Sequence, residues 1–159
     1  MRLLSILLIS TLLFSCNSKA QDKKETKDFA INKTEAEWKT QLTENEFYIL
    51  REAGTERPFT SNLLDNKKTG TYVCAACETP LFESGTKFDS GTGWPSFYQE
   101  IEGNVAFDTD YNLGYARTEE VCATCGGHLG HVFKDGPDPT GERHCINGGA
   151  LNFIPKSNE

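Results

Sequence analysis

Two short motifs, 74-CAAC-77 and 122-CATC-125, constrain this chain more than any other feature. Each places two thiols three residues apart, and two such knuckles supply the four thiolates that close the shell of a tetrahedral zinc ion. The 44 residues between Cys77 and Cys122 exceed a compact zinc ribbon, so the ion is expected to join two distant parts of one fold. Two other readings use the same residues. Each pair could close as a disulfide in an oxidising compartment, or one could cycle as a redox dithiol, although no βαβ pattern surrounds either. A structural zinc site on Cys74, Cys77, Cys122 and Cys125 is the reading adopted.

The N-terminus argues for export. Arg2 is followed by an apolar run from Leu3 to Phe14, then Ser15 and Cys16. This is the shape of a signal peptide, and it is shorter than the roughly 20 residues a spanning helix needs. The stretch 13-LFSC-16 resembles a bacterial lipoprotein cleavage box, which makes residues 1–15 a lipoprotein-type signal and Cys16 the lipidated first residue; a plain secretory signal is the alternative. Residues 16–33 are polar, charged and poor in apolar groups, and are expected to form a flexible tether. The rest, 34–159, fits one domain with a sizeable core. A formal charge of −7 argues against nucleic-acid binding, which relies on clustered Lys and Arg.

Within the domain, Thr34 with Glu37 and Thr43 with Glu46 match the capping box, so short helices are expected over about 34–41 and 43–52, the second ending near Gly54. Trp38, Leu42, Phe47 and Leu50 would pack on the core. From Thr71 onward, short aromatic and β-branched runs (TYVC, NVAF, NLGYA, HVF, CINGG, LNFI) are punctuated by Gly, Asp, Asn and Pro, an antiparallel β signature. The fold class expected is mainly β with short N-terminal helices.

With the knuckles spoken for, Cys145 in 143-RHCIN-147 is a lone thiol. In a strand, alternation puts Arg143, Cys145 and Asn147 on one face, and a neighbouring cation lowers a thiol pKa. Asn147 would orient substrate or hold the backbone. The bland alternative is a buried cysteine packing as a small hydrophobe. In 126-GGHLGHVFKDGP-137, His128 and His131 offer an acid or base, with Asp135 as the carboxylate that orients one of them; His128 also competes as a zinc ligand. Trp94 in 89-DSGTGWPSF-97 sits in a Gly/Pro-bounded turn, a candidate apolar wall for a small group such as a methyl, or a core filler.

Together, CAAC, SGTGWPSF, CATCGGHLGHVF and DGPDPTGERHCINGGALNF, after the two helices, resemble the B-type, R-specific peptide-methionine sulfoxide reductases over about residues 34–155. The resemblance implies two antiparallel sheets arranged as a β-tent, and a zinc ion on the four knuckle cysteines away from the active site. It implies Cys145 as the nucleophile that attacks the sulfoxide sulfur and becomes a sulfenic acid, which must then be restored. Trp94 would hold the substrate's ε-methyl, and His128, His131, Asp135, Arg143 and Asn147 would form the polar shell, with His131 protonating the sulfoxide oxygen. Many members of the family carry a resolving cysteine at the position of Thr92, so an external thiol or a thioredoxin-like partner is expected to restore this chain.

Oxidised proteins or peptides of the cell envelope or periplasm are the expected substrates, with the membrane met only through the lipid anchor, no nucleic acid, and the chain acting as a monomer. A binding module built around Trp94 without turnover, and a reductase of free methionine sulfoxide alone, are the rival readings.

Overall fold

The computed structural model describes residues 28–157. The expected signal segment 1–15, Cys16 and the tether as far as residue 27 lie outside the described residues. Helices α1 (Glu35–Gln41) and α2 (Glu44–Glu52) both start on complete capping boxes. Thr34 Oγ1 accepts from the N–H of Glu37 while the Glu37 carboxylate accepts from the N–H of Thr34, and Thr43 with Glu46 repeats the pattern. Each cap satisfies backbone donors that no helical turn can reach. The helix α2 stops at Ala53, whose left-handed φ of 52° ends the hydrogen-bond ladder just before Gly54. Trp38, Leu42, Phe47 and Leu50 are all buried in the core. The last residues of the expected tether also pack on the domain. Phe29 lies where a side chain on Gly126 would stand, and the Ile31 N–H donates to the Thr124 carbonyl at 2.9 Å.

Among the described residues nine strands follow: β1 (Gly70–Cys74), β2 (Pro80–Glu83), β3 (Lys87–Phe88), β4 (Ser96–Phe97), β5 (Val105–Asp110), β6 (Arg117–Cys122), β7 (His128–Phe133), β8 (Arg143–Ile146) and β9 (Leu151–Pro155). They form two antiparallel sheets, ordered β2-β1-β9 and β3-β4-β8-β7-β6-β5. Aromatic rings join the sheets. Phe82 of β2 stacks on Phe97 of β4 with centroids 4.4 Å apart, and Tyr72 of β1 meets Phe97 edge-on at 4.9 Å. Phe82, Phe97 and Tyr72 are fully buried, so burial adds to this ring geometry.

Two strand expectations are corrected. NLGYA forms the turn between β5 and β6: the Asn112 N–H donates to Asp110 Oδ1 at 2.7 Å, the Gly114 N–H to the Tyr111 carbonyl at 2.8 Å, and Gly114 has φ 81°. An Asx turn followed by a left-handed glycine reverses the chain where the residue pattern alone suggested a strand. CINGG is strand only through Ile146; Gly148–Ala150 is a 3-10 turn. Strand β4, two residues long, sits in the interior of the larger sheet inside a segment read as a loop.

Candidate active site

The ladder registers assemble the site. Ser96 of β4 pairs with Cys145 of β8, Cys145 with His131 of β7, His131 with Glu119 of β6, and Glu119 with Asp108 of β5. Directly opposed residues of an antiparallel sheet share a face, so this is one row across five strands. Two residues along each strand, Arg143 pairs with Phe133 and Arg117 with Asp110.

His131 takes its carboxylate from Asp110, with Nε2 to Oδ2 at 2.9 Å, and the Arg117 guanidinium binds the same oxygen. Burial pushes the Asp110 carboxyl up, but the N–H of Asn112, His131 and Arg117 outweigh it and hold its pKa at about 2. Asp110 is therefore ionised, which assigns the proton of a neutral His131 to Nε2 and leaves Nδ1 as an acceptor. Burial also lowers the His131 pKa more than Asp110 raises it, so the ring is neutral at pH 7. His128 stands edge-on to His131, centroids 5.5 Å apart, with its Nδ1 2.7 Å from Glu119 Oε1.

Asp135 does not orient either imidazole. It holds Arg143 in a two-point pair, Nε to Oδ1 and a terminal nitrogen to Oδ2, both 2.9 Å, with the guanidinium 4.5 Å above the Phe133 ring. The arginine fork fits one carboxylate completely, which is why Asp135 serves it. The expected lowering of the Cys145 pKa is also corrected. Burial raises that thiol above its ordinary value, and the hydroxyl of Thr92 and the charge of Arg143 offset this only in part. Thr92 Oγ1 lies 3.9 Å from Cys145 Sγ, at the end of a hydroxyl chain in which Ser90 contacts both Thr92 at 2.8 Å and Ser96 at 2.7 Å.

Asn147 is 3 % exposed and lies one residue beyond β8. Its Nδ2 donates to the Leu129 carbonyl and its Oδ1 accepts from the Glu56 N–H, both at 3.0 Å, so it holds backbone. Glu56 was missed by sequence reasoning. Its carbonyl accepts from Trp94 Nε1 at 3.2 Å, and its carboxylate accepts from the N–H groups of Gly148 and Gly149 at 2.6 and 2.9 Å. One residue thus fixes both the half-buried indole and the turn after Cys145. Asp110, Arg117 and Glu119 were missed as well. The alternation in 117-RTEEVC-122 carries a signal for two of them, because it sets Arg117 and Glu119 on one face.

The four knuckle cysteines form one cluster, their Sγ atoms all within 4.8 Å of one another, and His128 is not among them. The two knuckles share one hydrogen-bond pattern. The N–H of Glu78 donates to the Cys74 carbonyl and that of Gly126 to the Cys122 carbonyl, while the N–H groups of Cys74 and Cys122 donate to the carbonyls of Thr79 and Gly127, all at 2.8 Å. Cys74 ends β1 and Cys122 ends β6, so the cluster joins the two sheets. Sγ separations of 3.8 Å (Cys74 to Cys125) and 3.5 Å (Cys77 to Cys122) are far beyond a disulfide bond. They match the edge of about 3.8 Å that a tetrahedron with metal–sulfur bonds of about 2.3 Å requires. The donor set and geometry fit a tetrahedral metal site.

The SelR domain family matches residues 42–155. A protein named peptide methionine sulfoxide reductase MsrB from Alteromonas mediterranea is 52% identical over 138 residues, covering 86% of this chain and 94% of its own. Proteins of the same name from Methanosarcina barkeri (55% over 127 residues, 78% and 88% covered) and Leptospira interrogans (53% over 127 residues, 79% and 97% covered) are similarly close.

Proposed function

We propose, from the premise that this chain belongs to the SelR-domain family of peptide methionine sulfoxide reductases, that it reduces the R epimer of methionine sulfoxide in oxidised proteins and peptides. The observation that carries this reading is the pairing of Cys145 with His131 across β8 and β7, with Asp110 bound to the far nitrogen of the ring. Cys145 rests as a thiol and His131 as a base with a free Nδ1. Transfer of the thiol proton to Nδ1 makes a thiolate and an imidazolium, which Asp110 stabilises from behind.

The thiolate then attacks the sulfoxide sulfur, and His131 returns the proton to the sulfoxide oxygen. The hydroxyl then migrates to the Cys145 sulfur: the sulfur–sulfur bond made in the attack and the substrate's sulfur–oxygen bond both break, one electron pair stays on the substrate sulfur as thioether, and the other forms the S–OH bond of a sulfenic acid on Cys145. Nothing is added or lost: thiol plus sulfoxide becomes sulfenic acid plus thioether. A first external thiol displaces water from the sulfenic acid to give a mixed disulfide, and a second releases Cys145 with a new disulfide. Thr92, beside the Cys145 sulfur, cannot act as a resolving thiol, so both reducing equivalents come from outside, from a thioredoxin-like protein. Trp94 receives the ε-methyl, held by its bond to Glu56. Arg143 and Asp135 hold one wall, and His128 and Asn147 brace the strands on either side.

Zinc is the ion we assign to the knuckles, on Cys74, Cys77, Cys122 and Cys125, where it ties the sheets together and has no part in the chemistry. Peptide rather than free amino acid fits the turn beside Asp110, where Tyr111, Leu113 and Tyr115 are exposed and apolar. Export under the 1–15 signal, lipidation of Cys16, a tether that ends where Phe29 and Ile31 pack on the domain, and work as a monomer in the envelope complete the reading. The test is to mix the zinc-loaded protein with one equivalent of a methionine sulfoxide peptide, without reductant, and trap the product with dimedone. An adduct on Cys145 alone supports the mechanism, and its absence despite methionine formation contradicts it.

A further inference from the structure

On the opposite face of β8 from Cys145, His144 is completely buried, and no part of the chemistry above uses it. Its Nδ1 lies 2.6 Å from Oε1 of Glu120, itself fully buried, which fixes the ring so that Nε2 points the other way. Among the described residues that Nε2 has no hydrogen-bond partner, yet Glu100 Oε2 stands 3.3 Å from it and Glu142 Oε2 3.7 Å. Neither carboxylate lies where a good N–H···O bond would form. A buried nitrogen left unsatisfied is costly, and one placed between two carboxylates calls for positive charge there.

We infer that His144 Nε2, Glu100 and Glu142 form a second metal site, for a divalent first-row transition ion, separate from the four-cysteine cluster. One ligand atom from each of the three residues lies within 4.8 Å of the other two. Ligands bound at about 2.0–2.2 Å stand about 3–4 Å apart around an ion, which brackets the distances from His144 to the two carboxylates. Two carboxylates balance a divalent charge, and one imidazole with two oxygens selects ions of the manganese, iron and zinc group over the softer ions that thiolates prefer.

Glu120 supplies the carboxylate behind a ligating histidine that fixes its tautomer and raises its basicity. The carboxylates come from fixed places too: Thr140 Oγ1 donates to the Tyr98 carbonyl at 2.5 Å and accepts from the Glu142 N–H at 3.1 Å, bringing the segment before β8 against the one that carries Glu100. Glu142 and Glu100 keep side-chain exposures of 43% and 24%, so water can fill the remaining positions. The site joins the segment of Glu100 to the one that runs from Glu142 into His144, at the back of the nucleophile's strand.

The full chain, its knuckles saturated with zinc, is titrated with Mn2+ while free ion is read by electron paramagnetic resonance; thiolates are poor ligands for manganese, so the probe reports the oxygen and nitrogen site. One bound Mn2+ per chain is expected, weakened at least tenfold in both Glu100→Gln and Glu142→Gln, with zinc content and circular dichroism unchanged. No binding by the unsubstituted chain, or undiminished binding in either variant, overturns the inference. Crystals soaked in Mn2+ give a second reading: an anomalous peak bonded to His144 Nε2 is expected, and a soaked crystal without it also overturns the site.

Discussion

One proton shared between Cys145 and His131 sets the behaviour of the proposed site at the residue scale. Cys145 sits above its ordinary pKa of 9.0 because it is buried, and His131 below its ordinary 6.5 for the same reason. In the proposed mechanism the productive enzyme carries one proton between them, as thiol with neutral ring or as thiolate with imidazolium. kcat/KM is therefore expected to be bell-shaped, falling on the acid side below pH 6.5 as His131 takes a second proton, and on the alkaline side above pH 9 as Cys145 loses its own. Asp110 raises the His131 pKa, so Asp110→Asn is expected to move the acid limb lower and cut kcat by on the order of 10²-fold. An unshifted limb would show that Asp110 does not act through His131.

Thr92 gives a second prediction, because its hydroxyl already lies 3.9 Å from the sulfur. In Thr92→Cys, a disulfide to Cys145 is expected after one turnover, visible as loss of both free thiols at those positions by mass spectrometry. Much of this scale was legible in the sequence, since the lone thiol, the histidine pair and Trp94 stand out by residue type. The carboxylate that serves His131 was not, because Asp110 lies 21 positions away and only strand pairing brings it there. Asp135, close in sequence, was the natural wrong choice.

Capping boxes made the two helices readable, since Thr34 and Thr43 each announce a start through one side chain and its partner three residues on. Thr43→Ala is expected to cost about 1 kcal/mol, read as a lower urea midpoint with an unchanged slope. Strands were harder to bound. Their ends are set by partners far along the chain, so the residue pattern of NLGYA suggests a strand although Gly114 and the Asp110 side chain make it a turn. That turn carries its own test. Replacing Tyr111 and Tyr115 together by Ser is expected to raise KM several-fold for a sulfoxide-containing peptide and leave free methionine sulfoxide unaffected; equal effects on both substrates would remove the turn from peptide binding.

At the scale of the whole molecule, the two sheets meet through aromatic contacts, among them the stack of Phe82 on Phe97, and through the cluster of Cys74, Cys77, Cys122 and Cys125. The knuckle spacing revealed the cluster, and the long gap between knuckles revealed that it joins distant parts. The order of the strands was beyond the sequence, because nothing local tells β4 that it belongs between β3 and β8. If zinc holds the sheets, stripping it with a strong chelator under reducing conditions is expected to abolish cooperative thermal unfolding; an unchanged transition would make the cluster dispensable.

The most direct measurement of what the molecule does is turnover of separate R and S epimers of a methionine sulfoxide peptide, with dithiothreitol as reductant and Cys145→Ser beside the unsubstituted chain. Reduction of the R epimer alone, lowered by on the order of 10³-fold or more in Cys145→Ser, is the expected result. Turnover of neither epimer by folded, zinc-loaded protein, or turnover that survives Cys145→Ser, would contradict the assignment of this site as a methionine-R-sulfoxide reductase.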